Sequence, residues 1–142
     1  MLAEAKAAGL QFEVIAVREG DKLPFHVEDR LTLAPAAFRA ATQTVTPQGA
    51  IAIARVQEAT IADAVDAARH AGWPLVVLDG VQDPGNVGAI ARTAAAAGAP
   101  ALAVLPGTAD PYGAKAVRAS AGNVFRLKVA KAQWKAKRAC SP

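Results

Sequence analysis

Two short apolar runs with a glycine- and proline-rich loop between them place the strongest constraint on the fold. Residues 75–79 read L-V-V-L-D and residues 101–105 read A-L-A-V-L, so neither run alternates between apolar and polar side chains. This pattern is typical of parallel strands that are covered on both faces. The loop 80–85 and an alanine-rich helical segment, 86–97, separate the two runs. The sequence therefore predicts a strand–helix–strand crossover in an α/β fold.

The same alternation of strands and helices extends through the rest of the chain. Thr60 is a suitable N-cap and Gly72 a suitable C-terminal stop for a helix between them. The other expected elements are a helix over 3–8, a strand over 12–17, a strand and helix over 31–41, a buried strand over 50–54, a helix over 113–119 and a strand over 124–129. We expect a small α/β domain over 1–57, a linker helix over 58–73 and a second domain over 74–142.

Charge is distributed unevenly along the 142 residues. Residues 111–142 hold eight of the 16 basic side chains and none of the 12 acidic ones. Such a segment is typical of polyanion binding, with RNA the preferred partner, although a solvated tail gives the same pattern over 131–138. No apolar run reaches the roughly 20 residues that a membrane span needs. The single cysteine, Cys140, forms no intramolecular disulfide, and we expect a cytoplasmic protein.

The loop 79–86 follows a predicted parallel strand, which is where ligands bind in open α/β sheets. Asn86 can cap the next helix, and the free amides of its first turn favour an anion such as phosphate. Arg92 lies off the apolar stripe of that helix and can hold phosphate with a bidentate guanidinium, or be an ordinary surface arginine. The patterns of a nucleotide-hydrolysing P-loop, a dinucleotide-binding turn and a zinc cluster are absent, and we expect no metal.

A longer motif begins in this loop. Residues 79–94 read D-G-V-Q-D-P-G-N-V-G-A-I-A-R-T-A. This block closely resembles the first signature of the SpoU (TrmH-like) family, D-x-x-x-D-P-x-N-x-G-x-x-x-R-T-A. Residues 115–125 resemble the family's stretch after the second strand, and residues 46–49, T-P-Q-G, resemble the boundary after its N-terminal domain.

The resemblance implies a small RNA-binding α/β domain followed by a knotted SPOUT methyltransferase domain. Family members are homodimers that use S-adenosylmethionine to methylate a ribose 2′-hydroxyl in rRNA or tRNA. The motif's asparagine and arginine fall on Asn86 and Arg92, which we expect to be catalytic. Arg92 would bind the phosphate beside the reacting hydroxyl and lower the hydroxyl's pKa. Either that phosphate or a transient neutral guanidine would then accept the proton. Lys115, Arg118 and Ser120 are the expected RNA contacts.

The sequence also departs from the family pattern. A G-x-E-x-x-G loop and a later Ser-Leu-Asn phrase, which build the knot and most of the cofactor pocket, are not found. We therefore expect an incomplete chain, truncated at the C-terminus and also before residue 2. In such a chain the strands over 75–78, 101–105 and 124–129 would lack at least one sheet neighbour. The resemblance implies an enzyme, but without these motifs we expect the chain as given to be inactive. The alternative, which the missing motifs favour for this polypeptide, is an RNA-binding module without catalytic activity, and a remnant that folds poorly is a third possibility.

Overall fold

The computed structural model describes residues 1–27, 29–42 and 48–133. The described residues form two compact units, Met1–Gln57 and the residues from Glu58 onward. Both units are mixed α/β, which confirms the predicted fold class. No described helix is long and apolar enough to cross a membrane.

The first unit is a three-stranded sheet with two short helices. Its elements are α1 (Leu2–Ala7), β1 (Gln11–Arg18), β2 (Leu31–Leu33), α2 (Pro35–Ala41) and β3 (Ala50–Arg55). The strand order is β2-β1-β3, with β2 parallel and β3 antiparallel to β1. Side chains from α1, β1 and α2 are buried, including Ala5, Ile15, Val17 and Phe38.

Residues 50–54 form a strand, as predicted, but the strand is not buried. Ile53 of β3 is 60% exposed, and its cross-strand neighbour Val14 is also exposed. Neighbouring strands place these two side chains on one face of the sheet. Uninterrupted apolar sequence thus does not establish that both faces of this strand are covered.

The second unit contains the predicted strand–helix–strand crossover, β4-α4-β5. Its elements are α3 (Ile61–Ala71), β4 (Val76–Leu78), α4 (Pro84–Ala96), β5 (Ala101–Val104), α5 (Ala114–Ala119), a 3-10 helix (Asn123–Arg126) and β6 (Lys128–Lys131). The strands run parallel in the order β4-β5-β6. Of the three strands expected to lack a neighbour, β5 is paired on both sides.

Helices cover both faces of β5 and β6, whereas Val77 of the edge strand β4 is 44% exposed. On one face Leu102 and Val129 pack with Val87 and Ala91 of α4. On the other face the small side chains of the sheet pack against α3, with Ala64, Ala101 and Ala130 in one cluster. This packing places α3, which includes most of the expected linker helix, within the second unit.

The end of the second unit differs from the predicted strand over 124–129. Residues Asn123–Arg126 form a turn of 3-10 helix, and β6 begins only at Lys128. Gly122 has a φ of 81°, and its carbonyl accepts from the amide of Phe125 at 3.1 Å. The apolar pair Val124 and Phe125 resembles a strand in sequence, but the preceding left-handed glycine closes a tight turn there.

Candidate functional site

The loop that connects β4 to α4 ends in a carboxylate that caps the helix. Oδ1 of Asp83 accepts from the backbone N–H of Gly85 at 2.5 Å. The backbone carbonyl of Asp83 accepts from the N–H of Val87 at 3.1 Å. The bond from Gly85, followed by the one from Lys115, lowers the pKa of Asp83. The N-cap is therefore Asp83, and the prediction that Asn86 caps this helix is wrong.

This cap changes the expected anion site. The Asp83 carboxylate itself occupies the position at the positive end of α4 that the sequence suggested for a phosphate. Asn86 lies in the first turn, where its exposed side chain makes no hydrogen bond within the described ranges. The side-chain amide of Asn86 is thus available to bind an external ligand, because it does not cap the helix.

Arg92 projects from the solvent side of α4. It is exposed and forms no ion pair with any other residue whose position is described. The helix buries Val87, Gly88, Ala91 and Ala94 instead. Six residues separate Asn86 from Arg92, which corresponds to about 9 Å along the helix axis and about 120° around it.

Helix α5 lies directly against α4. A Cβ atom at Gly88 would come within 2.3 Å of the Ala116 carbonyl oxygen and 2.9 Å of the Ser120 amide nitrogen. The two backbones therefore touch at a position where only glycine fits. Lys115 Nζ at the start of α5 lies 3.1 Å from Asp83 Oδ1. The α4–α5 pair thus carries Asn86, Arg92, Lys115 and the exposed Arg118 on two helices in fixed contact.

Ser120 has a structural position at the end of α5. Its side chain is fully buried, and its hydroxyl donates to the Val117 carbonyl at 2.9 Å. The backbone N–H of Val124 points to the same oxygen at 3.5 Å. A direct contact between Ser120 and RNA, expected from the sequence, does not fit this burial.

A cavity of about 650 Å³ lies at the carboxyl ends of β5 and β6. It is lined by Val104, Leu105, Pro106, Thr108, Asp110, Pro111, Lys131, Ala132 and Gln133. Lys131 forms an ion pair with Glu58, which raises the pKa of the lysine. This cavity was not predicted from the sequence, although its loop follows the second parallel strand, a usual ligand position.

Nearby groups shape the electrostatics of this end of the sheet. The hydroxyl of Tyr112 has a pKa raised to about 12 by burial and by the negative charges of Glu58 and Asp110. Tyr112 is thus a neutral phenol at physiological pH. Within the described part of the chain, no group of three or more His, Cys, Asp or Glu side chains could hold a metal ion.

Comparison with known proteins places this arrangement in a family. Residues 74–139 match the SpoU rRNA Methylase family. The chain is 34% identical over 127 residues to 23S rRNA (guanosine(2553)-2′-O)-methyltransferase RlmP of Bacillus subtilis, covering 87% of this chain and 48% of RlmP.

Two solved structures have the same fold. An rRNA methyltransferase from Sinorhizobium meliloti, solved with AdoMet bound, has a TM-score of 0.75 and 27% identity over 93% of this chain and 51% of its own. The SpoU methyltransferase AviRb of Streptomyces viridochromogenes has a TM-score of 0.76 at 23% identity, over 94% of this chain and 52% of its own.

The chain spans about half the length of RlmP and of both solved structures. The match covers the α4 motif, and the structural alignments extend over both units. The predicted resemblance is confirmed at that level: residues 74–139 of this chain match the SpoU rRNA Methylase family.

Proposed function

We propose that this protein is an RNA 2′-O-ribose methyltransferase in which α4 presents Arg92 to the reacting nucleotide. The observation that carries the proposal is an exposed arginine with no ion-pair partner among the described residues, at the motif's arginine position. Helix α4, which carries Arg92, packs against α5 at Gly88. The names of the relatives support rRNA as the substrate class.

The cavity at the ends of β5 and β6 is our candidate site for a part of S-adenosylmethionine. Its volume is within the range of small-molecule sites, roughly 300–1,000 Å³. Leu105 and Pro106 would provide apolar walls, while Thr108 and Asp110 would provide a hydroxyl and a carboxylate suited to a cationic ligand. When bound, S-adenosylmethionine supplies an electrophilic methyl group on a sulfonium centre.

In the proposed reaction the ribose 2′ oxygen forms a bond to the methyl carbon, and the bond from that carbon to sulfur breaks. The hydroxyl proton must leave as the new bond forms. The Arg92 guanidinium acts by binding the adjacent phosphate and by stabilising negative charge on the 2′ oxygen. The neighbouring phosphate accepts the proton, and Asn86 orients the ribose through its free side-chain amide.

The test is transfer of labelled methyl from S-adenosylmethionine to a 23S rRNA fragment that carries the nucleotide matching guanosine 2553. We expect Arg92→Ala to lower turnover at least about 100-fold, the usual scale for losing a transition-state donor. Its melting curve should be unchanged because the side chain is exposed. Arg69→Ala on α3, which covers the other face of the sheet, is the matched control and should keep wild-type turnover. Normal turnover by Arg92→Ala would contradict the proposal.

Binding measurements separate the enzyme from a non-catalytic RNA-binding module. Calorimetric titration of S-adenosylmethionine into the folded chain should give micromolar binding if the cavity is a cofactor site. Salt-sensitive RNA binding without any cofactor binding would instead favour the module. We also propose a homodimer and a cytoplasmic location, and analytical ultracentrifugation tests the first of these.

A further inference from the structure

One oxygen of Asp83 links two helices of the second unit. Oδ1 accepts from the Gly85 amide of α4 at 2.5 Å and from Lys115 Nζ of α5 at 3.1 Å. Both charged side chains are more than half exposed, at 52% for Asp83 and 62% for Lys115. Such pairs usually contribute little, because two mobile side chains must be immobilised to form them.

The surroundings of this pair reduce that cost. The Asp83 carboxylate is already held in place by the helix amide, so only the lysine loses freedom. A Cβ at Gly85 would come within 2.9 Å of Asp83 Oδ1 and 3.6 Å of Lys115 Cε. The missing side chain therefore leaves room for the lysine to cross the first turn of α4. The Gly88 contact fixes the α5 backbone from which Lys115 extends.

We propose that Asp83 is a positioning residue for RNA, holding the Lys115 ammonium over the first turn of α4, the turn that carries Asn86. This inference rests on the proposed function, since RNA is the ligand. An ammonium group has three donors, so two remain available to a phosphate after one bond to Asp83. A lysine that is already ordered loses less conformational entropy when RNA binds.

The direction in which one substitution changes RNA affinity distinguishes a positioning role from simple electrostatic repulsion. A carboxylate close to RNA repels phosphates, so its removal should tighten binding if charge alone matters. If Asp83 positions Lys115, Asp83→Asn should weaken binding instead. Asparagine is as good an N-cap as aspartate, so α4 should keep its start and the variant should keep its fold.

The experiment measures affinity of the full chain for the same 23S rRNA fragment by fluorescence anisotropy. We expect Asp83→Asn and Lys115→Met each to weaken binding roughly two- to tenfold, with the double variant no weaker than Lys115→Met. Asp66→Asn on α3 removes one carboxylate on the opposite face of the sheet and should leave affinity equal or slightly higher. Tighter binding by Asp83→Asn would overturn the proposal.

A second measurement tests the geometry without RNA. The ¹³C relaxation order parameter of Lys115 Cε should be high in the wild-type chain and fall in Asp83→Asn to the value of the exposed Lys22. Equal mobility of Lys115 and Lys22 in the wild-type chain would refute the positioning role. An ordered Lys115 in a chain that binds no RNA would refute the proposed function and the RNA role, while retaining the ion pair.

Discussion

The hydroxyl of Ser120 caps the end of α5. It donates to the Val117 carbonyl and accepts from the Val124 N–H. Ser120→Ala leaves a buried N–H without its partner and should lower the free energy of unfolding by about 1–2 kcal/mol. Urea denaturation measures this change. Thr42→Ala, which removes an exposed hydroxyl bonded to the Arg39 carbonyl, is the matched control and should have little effect. An unchanged midpoint for Ser120→Ala would contradict the assigned role.

Residue types alone could not separate Asp83 from Asn86 as the helix cap. Both side chains are strong N-caps, three positions apart. The deciding signal is Pro84, because proline prefers the first helical position and so assigns the cap to the residue before it.

The burial of Ser120, by contrast, could not be predicted from local sequence. Its burial depends on how the segment after α5 folds back, and no local pattern in the sequence encodes that contact.

Close packing of α4 on α5 makes a specific prediction for helix association. Gly88→Ala places a methyl group against the Ala116 carbonyl and the Ser120 amide, so one helix must shift. We expect a loss of about 1–3 kcal/mol, the usual cost of overpacking, measured by urea denaturation. On an exposed helix surface the same change would be stabilising.

The control for this prediction is Ala89→Leu, one position further along α4 on its exposed face. It adds a larger side chain than Gly88→Ala but should change stability by only about 0.5 kcal/mol or less. Equal effects of the two variants would mean that the helices are not in the described contact.

The capping box at the start of α3 predicts that the stability of the fold decreases at acidic pH. Asp63 accepts from the amide and hydroxyl of Thr60, and these bonds lower its pKa. A carboxyl whose folded pKa lies below the unfolded value stabilises the fold above the unfolded pKa, about 3.9. That stability is lost as pH falls through the lower folded pKa.

Urea denaturation of wild-type chain and Asp63→Asn at several pH values tests this capping box. The stability difference between the two should be present at pH 6 and shrink below about pH 4, as the wild-type carboxylate becomes protonated. Asp66→Asn on the same helix should show no such trend, because no cap bond depends on it. A difference that persists undiminished at pH 2 would exclude ionisation of Asp63 as its cause.

Local signals account for most of the elements in the second unit. Thr60 and Gly72 bound α3 as predicted, with Gly72 in the left-handed region at φ 65°. The run that contains β5 was recognised because a strand covered on both faces has no polar alternation. The run that contains β4 is also a strand, but Val77 is 44% exposed, so its predicted coverage on both faces is wrong. The start of β6 was misplaced because Val124 and Phe125 are apolar in a 3-10 turn. The cavity at the ends of β5 and β6 depends on contacts between distant loops.

Across the whole chain, the concentration of basic residues in 111–142 predicts how RNA binding depends on salt. Lys131 is already paired with Glu58, so the phosphate contacts should be fewer than the eight basic side chains suggest. Each neutralised phosphate adds roughly 0.7–0.9 to the slope of log affinity against log salt. Two to four such contacts correspond to a loss of roughly 10- to 100-fold between 50 and 200 mM salt.

A chain that ends after Gln133 tests which basic residues make these contacts. It lacks Lys135, Lys137 and Arg138, while it retains both helices of the α4–α5 pair. If those three side chains bind phosphates, the salt slope should fall by roughly 2–3, because each contact contributes roughly 0.7–0.9. If they form only a solvated tail, the slope should be unchanged, and α4, α5 and β6 would carry the electrostatic attraction. A slope near zero in the full-length chain would contradict RNA binding through this surface altogether.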